Sequence, residues 1–325
     1  MTEEERKREE EKQRELLAGL ALAHAAMWRL WKRGTVAPAQ KIHNEALGRL
    51  FVGLRGVLGA SSQKIVSPVV MGQAQQYLRN FIAPLSSRLG DVMTAVTAQV
   101  PVEAAMGVDR MISKLTGQNV HLADRARLAR LELSKRAQEA TLRAQMVAAL
   151  EQDINQSILV RLSKIPRDAA KVADIIAEAG LGLDDSWWKI ERVVRTRTAD
   201  IFNEAQADAI GELSVQFPSI QMRWTELVDE VTGAPLDRRV GRDSLALHGQ
   251  LTPPGHLFTM PEDPRAPPKM VGQSWIHPPN RANDRAVCAP WMPGWNVPVY
   301  RVRGTSRVPV NYRTGAPSAK VSERG

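Results

Sequence analysis

Residues 187–213 read WWKIERVVRTRTADIFNEAQADAIGEL, a stretch free of proline in which Ile190, Val194 and Ile201 fall on one helical face. Asp184-Asp185-Ser186 in front of it has the composition of a helix N-cap, and Pro218 lies just beyond its end. The stretch decides the fold class because the chain changes character around it. Residues 1–186 hold 5 of the 20 prolines and 5 of the 16 aromatics, so the remaining residues are crowded with both. The reading is a mainly α N-terminal region, either a helical bundle or an extended helical arm, followed by a small loop-rich α+β domain. The boundaries are 1–183 for the helical region, 184–298 for the α+β module and 299–325 for an extended basic tail.

Working toward the N-terminus, helices are predicted at about 167–180, 122–164, 102–115, 70–98 and 39–58. The breaks fall at Pro166, Gly117-Gln118-Asn119, Pro101 and Gly59–Ser62. In the longest of these, Leu142, Met146, Leu150, Ile154 and Ile158 recur every four residues and form one apolar stripe, with Glu132–Arg136 and Glu139–Arg143 spaced for exposed ion pairs. Gly34 and Pro38 mark a further break. Before it, Glu3 to Glu15 carries seven Glu and five Lys/Arg, and Glu3–Lys7 and Glu4–Arg8 have the spacing that supports an exposed helix. The segment LLAGLALAHAAMWRLWKR (16–33) is apolar with a basic end, which fits packing against a partner helix better than lying on a membrane surface. Working toward the C-terminus, IQMRWTELV (220–228) alternates as a strand does, and Pro, Gly and Trp then dominate.

The chain has 325 residues, 44 Lys+Arg against 35 Asp+Glu and a formal charge of +9. The single cysteine, Cys288, excludes an intrachain disulfide and any multi-cysteine zinc site. The charged N-terminus has no secretory core, and the expected compartment is a reducing cytoplasm. In the tail, Arg301, Arg303, Arg307, Arg313 and Lys320 face little acidic residue and are the candidates for contact with nucleic-acid phosphates.

Chemistry-bearing motifs are sparse. His248, His256, His277 and Cys288 follow one another at intervals of 8, 21 and 11, which match no compact metal-ligand pattern. RAVCAPW offers no recognised setting for a nucleophilic thiol, and no Gly-rich phosphate loop, H-E-x-x-H or G-x-S-x-G occurs. Asp229-Glu230 and Glu262-Asp263 read as solvated loop charges. The sequence points to no catalytic residue, metal or cofactor. Arg197, three residues after Val194 and four before Ile201, falls on the apolar stripe and must reach solvent, a carboxylate or a backbone group.

The string VVRTRTADIFNEAQ, followed by MRWTELVDE, RRVGRDSLALHGQLTPP and HPPNRANDRAVCAPW, resembles the phage Mu F-like (MuF) head morphogenesis family of minor head proteins. Arg195 and Thr196 match the family's Arg-Thr dipeptide, and Phe202 with Asn203 its aromatic-Asn pair. Trp224 matches the tryptophan strand. Arg239 and Arg242 match the Arg-rich turn, and Leu247, His248 and Gly249 the Leu-x-Gly element. Pro278, Pro279, Asn280, Arg285 and Cys288 stand for the proline-rich closing turn and its Cys-containing end. The chain departs from the family at Arg197, where an acidic residue is common, at Ser244, where a histidine often stands, and in having one closing cysteine.

This resemblance implies a structural protein of a tailed-phage or prophage head, sited near the portal and assembled in the host cytoplasm. The portal protein is then the expected partner of region 1–183, the major capsid or scaffold protein a further candidate, and packaged double-stranded DNA a non-specific contact. Two other readings follow from the residues. The histidine and cysteine group would suit a metal- or Cys-dependent assembly or entry enzyme, and residues 16–33, with Trp28 and Trp31, would suit an ejected DNA-delivery protein that touches a membrane.

Overall fold

The computed structural model describes residues 2–59, 65–118, 120, 125–229, 234–236, 240–282 and 284–295, with the backbone alone at 96–98 and 125–139. The helices are α1 (Glu3–Arg29), α2 (Ala37–Leu58), α3 (Pro68–Thr116), α4 (Arg125–Leu162), α5 (Val172–Leu213) and the short α6 (Arg242–Leu247). A π-helical segment, Leu30–Val36, joins α1 to α2. The strands are β1 (Gln221–Thr225), β2 (Leu251–Thr252), β3 (Phe258–Thr259), β4 (Ser274–Trp275) and β5 (Val287–Trp291). A long helical N-terminal region therefore precedes a small region with a few antiparallel strands, as composition and periodicity predict. Among the described residues no helix is long and apolar enough to cross a membrane.

Several predicted breaks are absent. α3 continues through Pro101, where the flanking Val100 and Ala104 are buried. Packing on both sides outweighs the one backbone hydrogen bond that proline removes. Gly34 does not interrupt the chain either, since it lies in the π-helical segment, where Thr35 Oγ1 donates to the Trp31 carbonyl at 2.7 Å. Pro38 sits in the first turn of α2, where a missing N–H costs nothing. The largest correction concerns Asp184-Asp185-Ser186. These residues are interior to α5, and the buried Ser186 hydroxyl donates to the Gly182 carbonyl one turn earlier at 2.8 Å rather than capping a new helix.

The contacts divide the chain into two compact units that are discontinuous in sequence. One comprises Trp31–Ala98 and Ser134–Arg195; the other comprises Met1–Leu30, Gln99–Leu133 and Thr196–Gly325. The boundary expected at residue 184 thus falls inside an unbroken helix and inside one unit.

In the unit of Trp31–Ala98 and Ser134–Arg195, four helical segments share one core. Leu50 and Leu54 come from α2, Leu78 and Ile82 from α3, Leu150, Ile154 and Ile158 from α4, and Leu183, Ile190 and Val194 from α5. The four-residue stripe of α4 is therefore core, as its spacing predicts, while Glu132 and Arg136 lie outside the residues with described side chains and so does Glu139. At Gly182 a Cβ would stand 3.0 Å from the Ile158 Cα, so glycine allows α4 and α5 to approach closely. His43 Nε2 meets the Leu183 carbonyl at 3.1 Å, and Arg88 pairs with Glu45 at 2.7 Å.

In the other unit, β1 lies between β2 and β5 in an antiparallel sheet whose register pairs Trp224 with Cys288. Met222, Trp224 and Cys288 share a core with Ala209, Ile210 and Leu213 of α5 and Val108 and Ile112 of α3. Ala289 and Trp291 instead pack with Leu16 and Leu20 of α1 and Met111 of α3. The sheet is buried on both faces, which is why β5 (VCAPW) shows no polar alternation. Residues 16–27 find their apolar partners within their own unit. The N-terminus of α1 is fixed by a reciprocal capping box between Thr2 and Glu5, and the exposed Glu3–Lys7 pair closes at 3.3 Å as predicted.

If Ser186 is a helix-interior residue, Ser186→Ala loses one buried hydroxyl bond but gains the better helix former, so the two effects should largely offset and leave a stability change in urea unfolding below ~1 kcal/mol. A loss of ~1 kcal/mol or more, the cost of deleting an N-cap, would restore the predicted helix start.

Candidate functional site

The motif residues of the second half converge on a buried polar cluster at one end of the sheet. Asn203, fully buried on α5, donates from Nδ2 to the Ala286 carbonyl at 3.0 Å and accepts from the Cys288 N–H at 2.7 Å. One edge of β5 bonds to β1; the Asn203 amide satisfies the other edge as a neighbouring strand would. Phe202, beside it on α5, is buried at 1% exposure. Trp224 packs edge-on to Phe258 and Trp275, and its indole N–H points to Ser244 Oγ at 3.4 Å.

The Leu-x-Gly element has a separate task for each residue. Leu247 is core, His248 Nδ1 accepts the Glu226 backbone N–H at 3.0 Å, and Gly249, at φ +85°, turns the chain so that its N–H reaches the Trp224 carbonyl at 2.8 Å. The His248 bond requires Nδ1 to be unprotonated. A side chain at Gly249 would be strained in that backbone conformation.

Asp284, which sequence reasoning missed, gathers the surrounding loops. Its carboxylate accepts from Ser244 Oγ at 3.0 Å, from the N–H groups of Arg285 at 2.7 Å and Ala286 at 3.4 Å, and from the Asn280 N–H at 3.1 Å. Ser244 therefore fills the position where the resemblance leads one to expect a histidine by linking the Trp224 indole to Asp284. The only sequence clue to Asp284 is its place directly before the apolar β5 run. Glu226, also missed, is buried at 1% exposure. Its carboxyl is pushed well above the usual carboxylate range, first by burial and then by the neighbouring Asp284 charge, with Trp224 and Arg281 acting weakly in the other direction.

The remaining candidates are scattered. Arg195 lies in the other unit, paired with Glu191 one turn back and 6.0 Å from the Trp31 ring centroid, and Thr196 is half-buried at the next position. Arg197 meets a carboxylate, Asp200, at 3.2 Å. Arg242 is exposed while Asp243, its neighbour, bonds Arg281 at 3.1 Å. Pro278 is buried and joined to Pro279 by a cis peptide bond, and Asn280 is half-buried. Arg285 is buried at 2% exposure with its guanidinium 4.7 Å from the Trp28 ring centroid. Asp263 is not a solvated loop charge: Arg265 binds both its oxygens, at 2.8 and 2.6 Å. Arg239 and the tail residues Arg301, Arg303, Arg307, Arg313 and Lys320 lie outside the described residues.

Among the described residues no three His, Cys, Asp or Glu are grouped to hold a metal ion. His256 is exposed, His248 is buried, and burial pushes the Cys288 thiol far up, away from the reactive thiolate. In residues 16–33 Leu16, Leu20, Met27 and Trp31 are buried, while Leu22 and Trp28 are exposed. Beside the polar cluster lies a cavity of about 600 Å³ whose walls include Leu17, Leu20, Ala21, Leu227 and Leu236. Compared with models of known families, with curated proteins and with solved structures, the chain matches none.

Asn203→Ala should destabilise the protein strongly, because it orphans a buried N–H and a buried C=O at about 1–3 kcal/mol each; a loss below ~1 kcal/mol in urea unfolding would show that water replaces the amide. For Glu226 the sign follows from proton linkage. An unfolded glutamate ionises near 4.5 while the native one keeps its proton to higher pH, so the native state binds more protons over that interval and loses stability as pH rises. Glu226→Gln, neutral throughout, should raise the melting temperature over wild type more at about pH 8 than at about pH 5. An equal effect at both values would place the carboxyl in water.

Proposed function

We propose that this chain is a minor head protein of a tailed bacteriophage or prophage, a structural component that binds the portal region and acts in head morphogenesis, DNA packaging or delivery. The observation that carries the reading is the convergence of part of its motif series, with Arg195 standing in the other unit. Asn203, Trp224, Leu247, His248, Gly249, Arg285 and Cys288, spread over 86 positions of sequence, belong to one unit, and each of those with a bond given above holds backbone or core. Residues that hold backbone and core in one unit, with a buried thiol and apolar cavities beside them, suit a protein that docks onto others.

The net charge of +9 adds a second element. Phosphate neutralisation with counterion release gives sequence-independent affinity for packaged double-stranded DNA. In this role the protein resides in the virion head near the portal, with the major capsid or scaffold protein as a further contact.

Co-expression with the portal protein of the same genome should yield a joint peak on size-exclusion chromatography with light scattering, persisting at moderate salt. Separate peaks at both low and moderate salt would overturn the assignment.

A further inference from the structure

A second cavity, of about 310 Å³, opens on the unit that contains the sheet, between α1, the C-terminal part of α3 and α5. Apolar residues make up most of its walls, and Leu22 on its lining is 68% exposed, so the apolar surface continues outward. On its α5 side lies Gln206, one turn after Phe202 and only 1% exposed, whose Oε1 is buried without a hydrogen-bond partner. A buried amide left unsatisfied is costly, and its carbonyl and NH₂ together complement the N–H and C=O of a peptide group. That complementarity holds whichever way the amide oxygen and nitrogen are placed.

The charged residues of the lining favour one sign of partner. Arg29, Arg110 and Lys114 stand there with Glu15 and Glu103, and Lys114 is already engaged by Glu15 at 3.4 Å. One positive charge is left over. The volume is at the low end of ligand sites, which run from about 300 to 1,000 Å³, and holds one large side chain with its adjoining peptide group rather than a whole helix.

We propose that this cavity is the docking point for a segment of a partner protein that inserts one aliphatic or aromatic side chain, lays the adjoining peptide group against Gln206, and carries a neighbouring carboxylate toward Arg29 or Arg110. The site is independent of the assignment to a phage head, because it requires a peptide of this chemistry and not a particular partner.

The test uses the full chain and a displayed library of random dodecapeptides. Enriched peptides should share a large apolar residue next to Asp or Glu, and their binding should slow hydrogen exchange in 15–29 and 103–115 of the wild-type protein. Gly107 lies on the lining, and a Cβ there meets no atom within 4 Å, so Gly107→Leu places an apolar side chain at the cavity wall while replacing a poor helix former. It should keep the melting temperature and weaken these peptides by about tenfold or more, a factor large enough to reflect loss of one main anchor. Gln206→Leu, which keeps the volume and removes the amide, should weaken them as well. The proposal falls if no such peptides are enriched, if exchange slows elsewhere instead, or if both folded variants bind as wild type does. Failure of the portal complex alone would leave this result standing, and the reverse holds equally.

Discussion

The sheet depends on one side chain from outside it. An antiparallel edge strand exposes alternate N–H and C=O groups, and the N–H of Cys288 in β5 and the C=O of Ala286 just before it belong to fully buried residues and are not paired with β1. Asn203 meets both with a single amide, at 2.7 and 3.0 Å. Few other side chains present a donor and an acceptor at that separation, so the position tolerates little else. The bond also fixes where β5 lies against α5, and with β5 the register that sets Trp224 opposite Cys288.

Around that contact the unit holds two buried carboxyl groups with contrasting surroundings. Asp284 has its oxygens met by a hydroxyl and three backbone N–H groups, which ties the 280–286 loop to α6 through Ser244. For Glu226, burial beside Asp284 outweighs any such help and makes its ionised form costly. The difference comes from chain geometry: Asp284 sits where a turn converges its N–H groups, while Glu226 follows the end of a strand. Its backbone N–H is satisfied by His248, and its side chain is carried inward behind it.

The two apolar cavities flank α1 within this unit, and both use its helix surface. α1 is therefore more than a polar lead-in: its buried residues complete the core against Trp291 and Met111, and its outer positions shape the openings. For a protein proposed to work by assembly, surfaces made from a helix docked on a rigid sheet give a partner a fixed shape to bind, with little ordering entropy to overcome.

The amino-acid sequence by itself determined the helical first part, the four-residue stripe of α4, the strand at Trp224 and the residues that later converge. Each of these rests on local periodicity or on residue types that favour one backbone state. It misplaced the breaks at Pro101 and Ser186, because proline and N-cap signals describe a helix in isolation and take no account of neighbours packed along both sides. Asp284, Glu226 and Gln206 were illegible for a related reason: an acidic or amide residue in a string looks solvated until the fold shows what surrounds it. Only the tertiary structure decided that residues 99–115 and 196–213 join the sheet while the rest of α3 and α5 builds a separate core, since which core a helix segment enters depends on the partners that meet it in space.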